Sequence, residues 1–377
     1  MLETPFKMKL FAHLTLLLAT LFTLLHPTTA QDLNSLITQV ENSLKQSGAL
    51  SALEALFQDL KPQAEQLLAQ AGEFTFFAPS NTALEKFQKK YPDLYANVTA
   101  DPEWLLDVLK YHFLPGVAFD PSKAPAKSFP QTALNDDAVQ VNVKGKDVTV
   151  KFDGGQAKVT ESVTVAKGVV HVVDTVLTPP RALADVAKDA GLTSLIKAVQ
   201  TAGLAKDAAG LTKFTLFAPT NRAFDRITTF AKSQNVAITP ALLASILKFH
   251  IAPHHEYFST DLPTDGKPVT VASALKGADL TVSVSKNVVS VSGAGTRSFK
   301  LPPGKVTKAD ILVKGGVVHV IDHVVLPDLK GAGAKARRSE VLERAEFGDG
   351  ESAAAGGVRV SRAVWALGVV AAVVVMM

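Results

Sequence analysis

Apolar positions along the chain follow two periods, and the change from one to the other happens twice. Leu33, Leu36, Ile37, Val40 and Leu44 recur at i, i+3, i+4 and i+7, which places them on one face of a helix. Leu50, Leu53, Leu56, Phe57 and Leu60 form a second stripe of the same kind. The opposite faces are not basic, so these stripes read as core-facing rather than membrane-facing. Farther on, Val139, Val141 and Val143 alternate with polar residues, as do Val148, Val150 and Phe152. Lys144-Gly145-Lys146 lies between the two runs, and the whole reads as a β-hairpin. The order then recurs. Leu192, Leu195, Ile196 and Val199 mark a helix, and Leu280, Val282 and Val284 pair with Val289 and Val291 across a turn at Lys286-Asn287. Helices in the first half of each unit and strands in the second predict an α+β fold.

Three motifs repeat on the same scheme. FTFFAPSN (Phe74–Asn81) matches FTLFAPTN (Phe214–Asn221); Tyr111-His112 matches Phe249-His250; GVVHVVD (Gly168–Asp174) matches GVVHVID (Gly316–Asp322). The offsets are about 140 to 150 residues, the size of a domain rather than of a solenoid repeat. Each first motif is a β-favouring run broken at proline, hence a buried strand turning into a helix. Asn81 and Asn221 are the N-cap candidates, because an asparagine oxygen accepts from free first-turn amides. Helices are expected over 82–90 and 103–113, the latter stopped by Pro115-Gly116.

In this order and spacing the three motifs resemble the fasciclin domain family, twice over, across roughly residues 31 to 327. The resemblance implies two tandem domains, each a small β-sandwich or wedge with helices packed along one edge. It implies adhesion as the role, through cell-surface, matrix or wall proteins or glycans, with no enzyme activity and no cofactor. It implies a structural role for the recurring histidines His112, His250, His171 and His319. It also points to an Asp-Ile pair just before the last strand as a partner contact, here Asp310-Ile311. The first unit has Glu161-Ser162-Val163 at that place and lacks the pair. The competing reading of Asp310-Ile311 is local: aspartate favours turns and isoleucine favours burial.

The chain ends read as targeting segments. Residues 1–30 combine Lys7 and Lys9, the apolar Leu10–Leu25 and small residues before Gln31, the pattern of a secretory signal peptide. Domains are then expected over 31–180 and 181–327. Residues 328–352 are small, charged and poor in aromatics, the composition of a disordered stalk. Residues 353–377 end in an uncharged apolar run from Ala363, short of a bilayer span. Small residues, a spacer with Arg359 and Arg362, and that terminus form the pattern of a glycosylphosphatidylinositol signal. Ser352 is the expected attachment site, with Gly350 and Ala353 as rivals and a short tail anchor or buried helix as the competing reading.

Composition changes this picture little. The formal charge of +4 includes one net positive charge from residues 1–30 and two from the tail beyond Ser352, leaving +1 for the rest. No nucleic-acid partner follows from that balance. The chain has no cysteine, so each domain must rest on its own core. Asn97-Val98-Thr99 is a glycosylation sequon. His254 and His323 in the second unit suggest metal ligation, but the first unit lacks their equivalents, and no HExxH occurs. No GxSxG and no phosphate loop are present. Asp174 and Asp322 match each other but sit in different units, which favours backbone bonding over acid–base work. The expected function is non-enzymatic surface adhesion. The alternatives are a binder of a small apolar ligand or sterol, which needs a pocket, and a histidine-based hydrolase.

Overall fold

The computed structural model describes residues 73–92, 102–135, 137–165, 168–235 and 237–327. The stripes at 33–44 and 50–60, the sequon at Asn97, Ser352 and both chain ends lie outside the described residues. The chain divides into two compact units, Met1–Pro180 and Arg181–Met377.

The strands of the first unit are β1 (Phe74–Pro79), β2 (Phe113–Pro115), β3 (Lys127–Ser128), β4 (Gln140–Lys144), β5 (Asp147–Phe152), β6 (Gly155–Val165) and β7 (Gly168–Val173). They form one seven-stranded sheet in the order β2-β1-β7-β6-β5-β4-β3. The second unit supplies β8 (Phe214–Pro219), β9 (Ile251–Ala252), β10 (Val269–Ala272), β11 (Asp279–Ser285), β12 (Val288–Ser292), β13 (Gly304–Val313) and β14 (Gly316–Ile321). Their order β9-β8-β14-β13-β12-β11-β10 is the same topology. In each sheet the repeated FTxFAP strand lies parallel to the repeated GVVHV strand over six residue pairs, Phe74↔Gly168 to Pro79↔Val173 and Phe214↔Gly316 to Pro219↔Ile321. Every other pairing is antiparallel.

Both predicted hairpins form. Val141 faces Val150 and Val143 faces Val148, while Val282 faces Val291 and Val284 faces Val289. Lys286 and Asn287 both have positive φ, 49° and 62°, as a tight two-residue hairpin turn requires.

Alternation along the parallel pair divides the second unit into two cores. Phe214, Leu216, Ala218, Val318 and Val320 meet the helices Leu183–Asp189, Thr193–Thr201, Asn221–Ser233 and Pro240–Phe249. Phe217 and Ile321 point the other way, into a cluster with Val271, Leu280, Val282 and Val291 from β10, β11 and β12. Strands that are not neighbours in the sheet thus share a core, so the sheet folds over on itself. β13 and β6 each carry register shifts, and a bulge kinks and twists its strand. The α+β expectation holds, with helices against one face of the parallel pair.

Two local expectations are corrected. The N-caps are Ser80 and Thr220, whose hydroxyls accept from the amides of Ala83 and Ala223 at 3.1 and 3.2 Å. Asn81 and Asn221 are the first helical residues instead. The hydroxyl sits one position before the asparagine and already has the extended ψ near 160° that a cap needs. Asn221 ties the helix to its neighbour, accepting from Ser194 N–H and donating to the Gly191 carbonyl. The helix expected over 103–113 spans Pro102–Tyr111, and Phe113 opens β2, because it pairs with Phe76 across the sheet.

The chain leaves the second unit through a clamp. Val324, Val325 and Leu326 are buried. Thr296 N–H donates to the Leu326 carbonyl at 3.1 Å, and the Thr296 hydroxyl accepts from Leu326 N–H at 2.8 Å. A Cβ at Gly295 would lie 1.9 Å from the Pro327 carbonyl oxygen. Gly295→Ala should therefore destabilise this unit by about 1–3 kcal/mol through forced displacement. Urea unfolding checks it, and a midpoint equal to the parent's refutes the clamp.

Candidate functional site

The recurring polar side chains converge where the parallel strands meet the loops above them. His112 and His250 follow the last turns of the helices Pro102–Tyr111 and Pro240–Phe249, and each is about 2% exposed or less. Nε2 of His112 receives the amide of Leu177 at 3.0 Å, and Nε2 of His250 receives that of Val325 at 3.1 Å. A nitrogen facing an N–H donor must be unprotonated, so Nδ1 carries the proton. Nδ1 donates to the Val108 carbonyl at 2.8 Å in one domain and to the Ile246 carbonyl at 2.7 Å in the other. Burial pushes both imidazoles down to about 4, against a smaller opposing effect of the carbonyl bond. Each ring is a neutral bridge from a helix end to the segment that leaves the domain.

His171 and His319 form a second rung, on β7 and β14. Nε2 of His171 faces the Phe119 carbonyl at 3.1 Å, and Nε2 of His319 faces that of Tyr257 at 2.7 Å. Those nitrogens must donate, which leaves Nδ1 as acceptor. In the first domain Nδ1 takes the Ser162 hydroxyl at 2.7 Å; in the second it takes the backbone amide of Asp310 at 3.3 Å. Burial lowers the His171 pKa. Phe77 stacks on His171 and Phe217 on His319, with centroids 5.7 and 5.6 Å apart.

Thr75 and Thr215 belong to the same rung and escaped the sequence reading. Both are fully buried. The Thr75 hydroxyl donates to the Val117 carbonyl and accepts from Phe119 N–H; the Thr215 hydroxyl donates to the His255 carbonyl and accepts from Tyr257 N–H. The signal was available: one hydroxyl at the same place in two otherwise apolar strands.

Asp310 is turned inward. It has φ +59° and is 7% exposed. Its carboxylate accepts from the Ser259 amide at 2.8 Å and the Ser259 hydroxyl at 2.6 Å. Ile311 packs against the helix-side core. Asp310 thus ties the bulge to the loop above it, while Ile311 is half-buried. Ser259, Asp310 and His319 do not form a hydrolytic relay. The serine proton goes to the carboxylate, and the imidazole acceptor is taken by a backbone amide, so no imidazole faces the hydroxyl.

The recurring aspartates and His323 are bonded as well. Asp174 and Asp322 accept from the amides of Lys158 and Lys305 at 2.8 and 2.7 Å. His323 lies between Asp322 and Arg226, each 2.8 Å away. His254 and His255 are exposed, and His255 leans on Tyr257 with centroids 4.2 Å apart. Among the described residues no group of three His, Cys, Asp or Glu is placed to hold a metal ion. The space between Phe217, Tyr257, Leu262, Val271, Val282 and His319 is ≈ 10 Å³, about one water. A drug-sized ligand needs roughly 300 Å³ or more.

The fasciclin domain model matches residues 32–179 and 190–327. The chain belongs to the fasciclin domain family. Among its relatives is a fasciclin-like arabinogalactan protein of Arthroderma benhamiae, 28% identical over 71% of this chain and 62% of that protein. Others are the transforming growth factor-beta-induced protein ig-h3 of Sus scrofa, 26% identical over 62% of this chain and 33% of that one, and human periostin, 27% identical over 68% and 29%. The fasciclin chain thus spans less than two thirds of the length of these relatives. A solved domain pair from the insect cell adhesion molecule fasciclin I matches 76% of this chain and 99% of its own at 20% identity, with a TM-score of 0.35.

The histidine bridges set a pH dependence. Their folded pKa, about 4, lies below the unfolded value near 6.5, so the unfolded state binds more protons between those limits. Stability is complete above about pH 6.5 and falls as pH drops toward 4, by on the order of 3 kcal/mol per bridge. Urea midpoints at pH 7 and pH 4.5 measure it. His250→Ala should lower stability at pH 7 by about 1–3 kcal/mol and flatten the pH slope of its own domain. A variant with the parent's midpoint and slope would count against the bridge.

Proposed function

We propose that this fasciclin chain is a non-enzymatic cell-surface protein that presents two domains for adhesion or for organising a wall or matrix. One observation carries the reading: the polar side chains repeated in both domains are engaged with the chain's own backbone. His112, His250, His171, His319, Thr75 and Thr215 all hold loops and exit segments. What such domains offer a partner is their outer surface. The names of the relatives, a fasciclin-like arabinogalactan protein and periostin among them, support extracellular protein or glycan partners.

On this reading residues 1–30 direct secretion, Asn97 carries a glycan, and the segment after Pro327 ends in a lipid attached at Ser352. No helix of the described residues is long and apolar enough to cross a membrane. Phosphatidylinositol-specific phospholipase C on intact cells tests the anchor. The protein should be released, and replacing Ser352–Ala354 by bulky residues should abolish that release. Peptides from Ala363–Met377 in the mature surface protein would overturn it. The recombinant segment 31–327 used as bait on surface extracts tests adhesion, with retention of a wall or matrix component expected.

A further inference from the structure

The parallel strand pair of each domain has a mechanical consequence. In the second domain β8 is the first strand in sequence and β14 the last, and they run side by side for six residue pairs. The chain enters near the start of this pair: Arg181 accepts from Lys314 N–H at 2.9 Å, just before β14 begins. It leaves past the other end, through Val325 and Leu326, which His250 and Thr296 hold. Tension between the two ends of the domain, passed on through the helices that lie between Arg181 and Phe214, therefore pulls β8 at Phe214 and β14 at Ile321 in opposite directions along the strand axis.

That geometry loads the ladder in shear. Its hydrogen bonds lie side by side under the load and share it, so they must fail together. Pulling both strands from the same end would instead open the bonds one at a time. The apolar side chains of the pair reinforce the shear case, because sliding β14 past β8 drags Phe217 and Ile321 out of one core and Leu216 and Val318 out of the other. The first domain has the same six-pair parallel register between β1 and β7.

We propose that each fasciclin domain is a tension-bearing module whose parallel strand pair is a shear clamp. This rests on the adhesion reading only for its use, since a surface protein held by a lipid at one end and a partner at the other transmits force through its domains. The clamp itself is a property of the isolated chain.

The chain has no cysteine, so engineered thiols alone define where force is applied. Thr212 and Lys314 are exposed and lie at the start of the pair, and His323 lies just past its other end. Optical tweezers with handles on the detergent-solubilised full chain compare two double variants. Thr212→Cys with His323→Cys loads the clamp in shear; Thr212→Cys with Lys314→Cys unzips it. At equal loading rate the shear pair should rupture at several times the force of the unzipping pair. Forced unfolding reads the barrier under load, so equal forces, or a weaker shear pair, overturn the proposal. If His323→Cys does not fold, Asp322→Cys loads the same strand end. A strong clamp in a chain that phospholipase fails to release from cells would leave the module standing and remove the lipid anchor. A weak clamp in a released chain would do the reverse.

Discussion

In each domain two strands far apart in sequence lie parallel and in register, second and third from one edge of the sheet, Phe74–Pro79 with Gly168–Val173 and Phe214–Pro219 with Gly316–Ile321. Parallel neighbours cannot be joined by a tight turn, so everything between them must form a long crossover. Here the crossover contains helices, a bulged strand and a hairpin. In the second domain the pair is covered on both faces, by helices on one and by the folded-over sheet on the other. This is why its strands read as almost continuous apolar runs rather than as alternating ones.

Such burial leaves few sites for polar side chains, and those present are paired. The two recurring histidines of each domain are bonded at both ring nitrogens, by backbone groups except at His171, whose Nδ1 takes the Ser162 hydroxyl. An unpaired buried polar group costs about 1–3 kcal/mol, so each ring fixes the loop or exit segment that it bonds. Thr75 and Thr215 do the same for the segments Val117–Phe119 and His255–Tyr257. The polar chemistry of the repeat is thus a set of internal fasteners. This gives a physical reason to look for partners on the outer surfaces.

The domains differ in the bulge: between matching register points the stretch Val306–Val313 of β13 is one residue longer than Val159–Val165 of β6. Ser162 meets His171 directly, whereas Asp310, at positive φ, brings its amide to His319 and its carboxylate to Ser259. Aspartate tolerates that backbone conformation better than most residues, and the carboxylate closes the loop above it. The same imidazole acceptor is satisfied by a hydroxyl in one copy and by the backbone in the other.

The sequence by itself determined the duplication, the family, the α+β class and the hairpins, because these rest on periods of two and 3.6 residues and on motifs repeated in order. It also marked the recurring histidines. Local patterns failed where two readings were one residue apart. Ser80 and Thr220 took the caps assigned to Asn81 and Asn221, since the cap goes to the residue with extended backbone. Phe113 left its helix because Phe76 offered a strand partner. Only the tertiary structure decided what the polar groups do. Whether Asp310 faces a partner or Ser259 depends on a bulge, and whether a histidine is a base or a fastener depends on amides 65 and 75 residues away along the chain. Hydrogen bonds of that span are set by how the strands stack, and no local sequence window contains them.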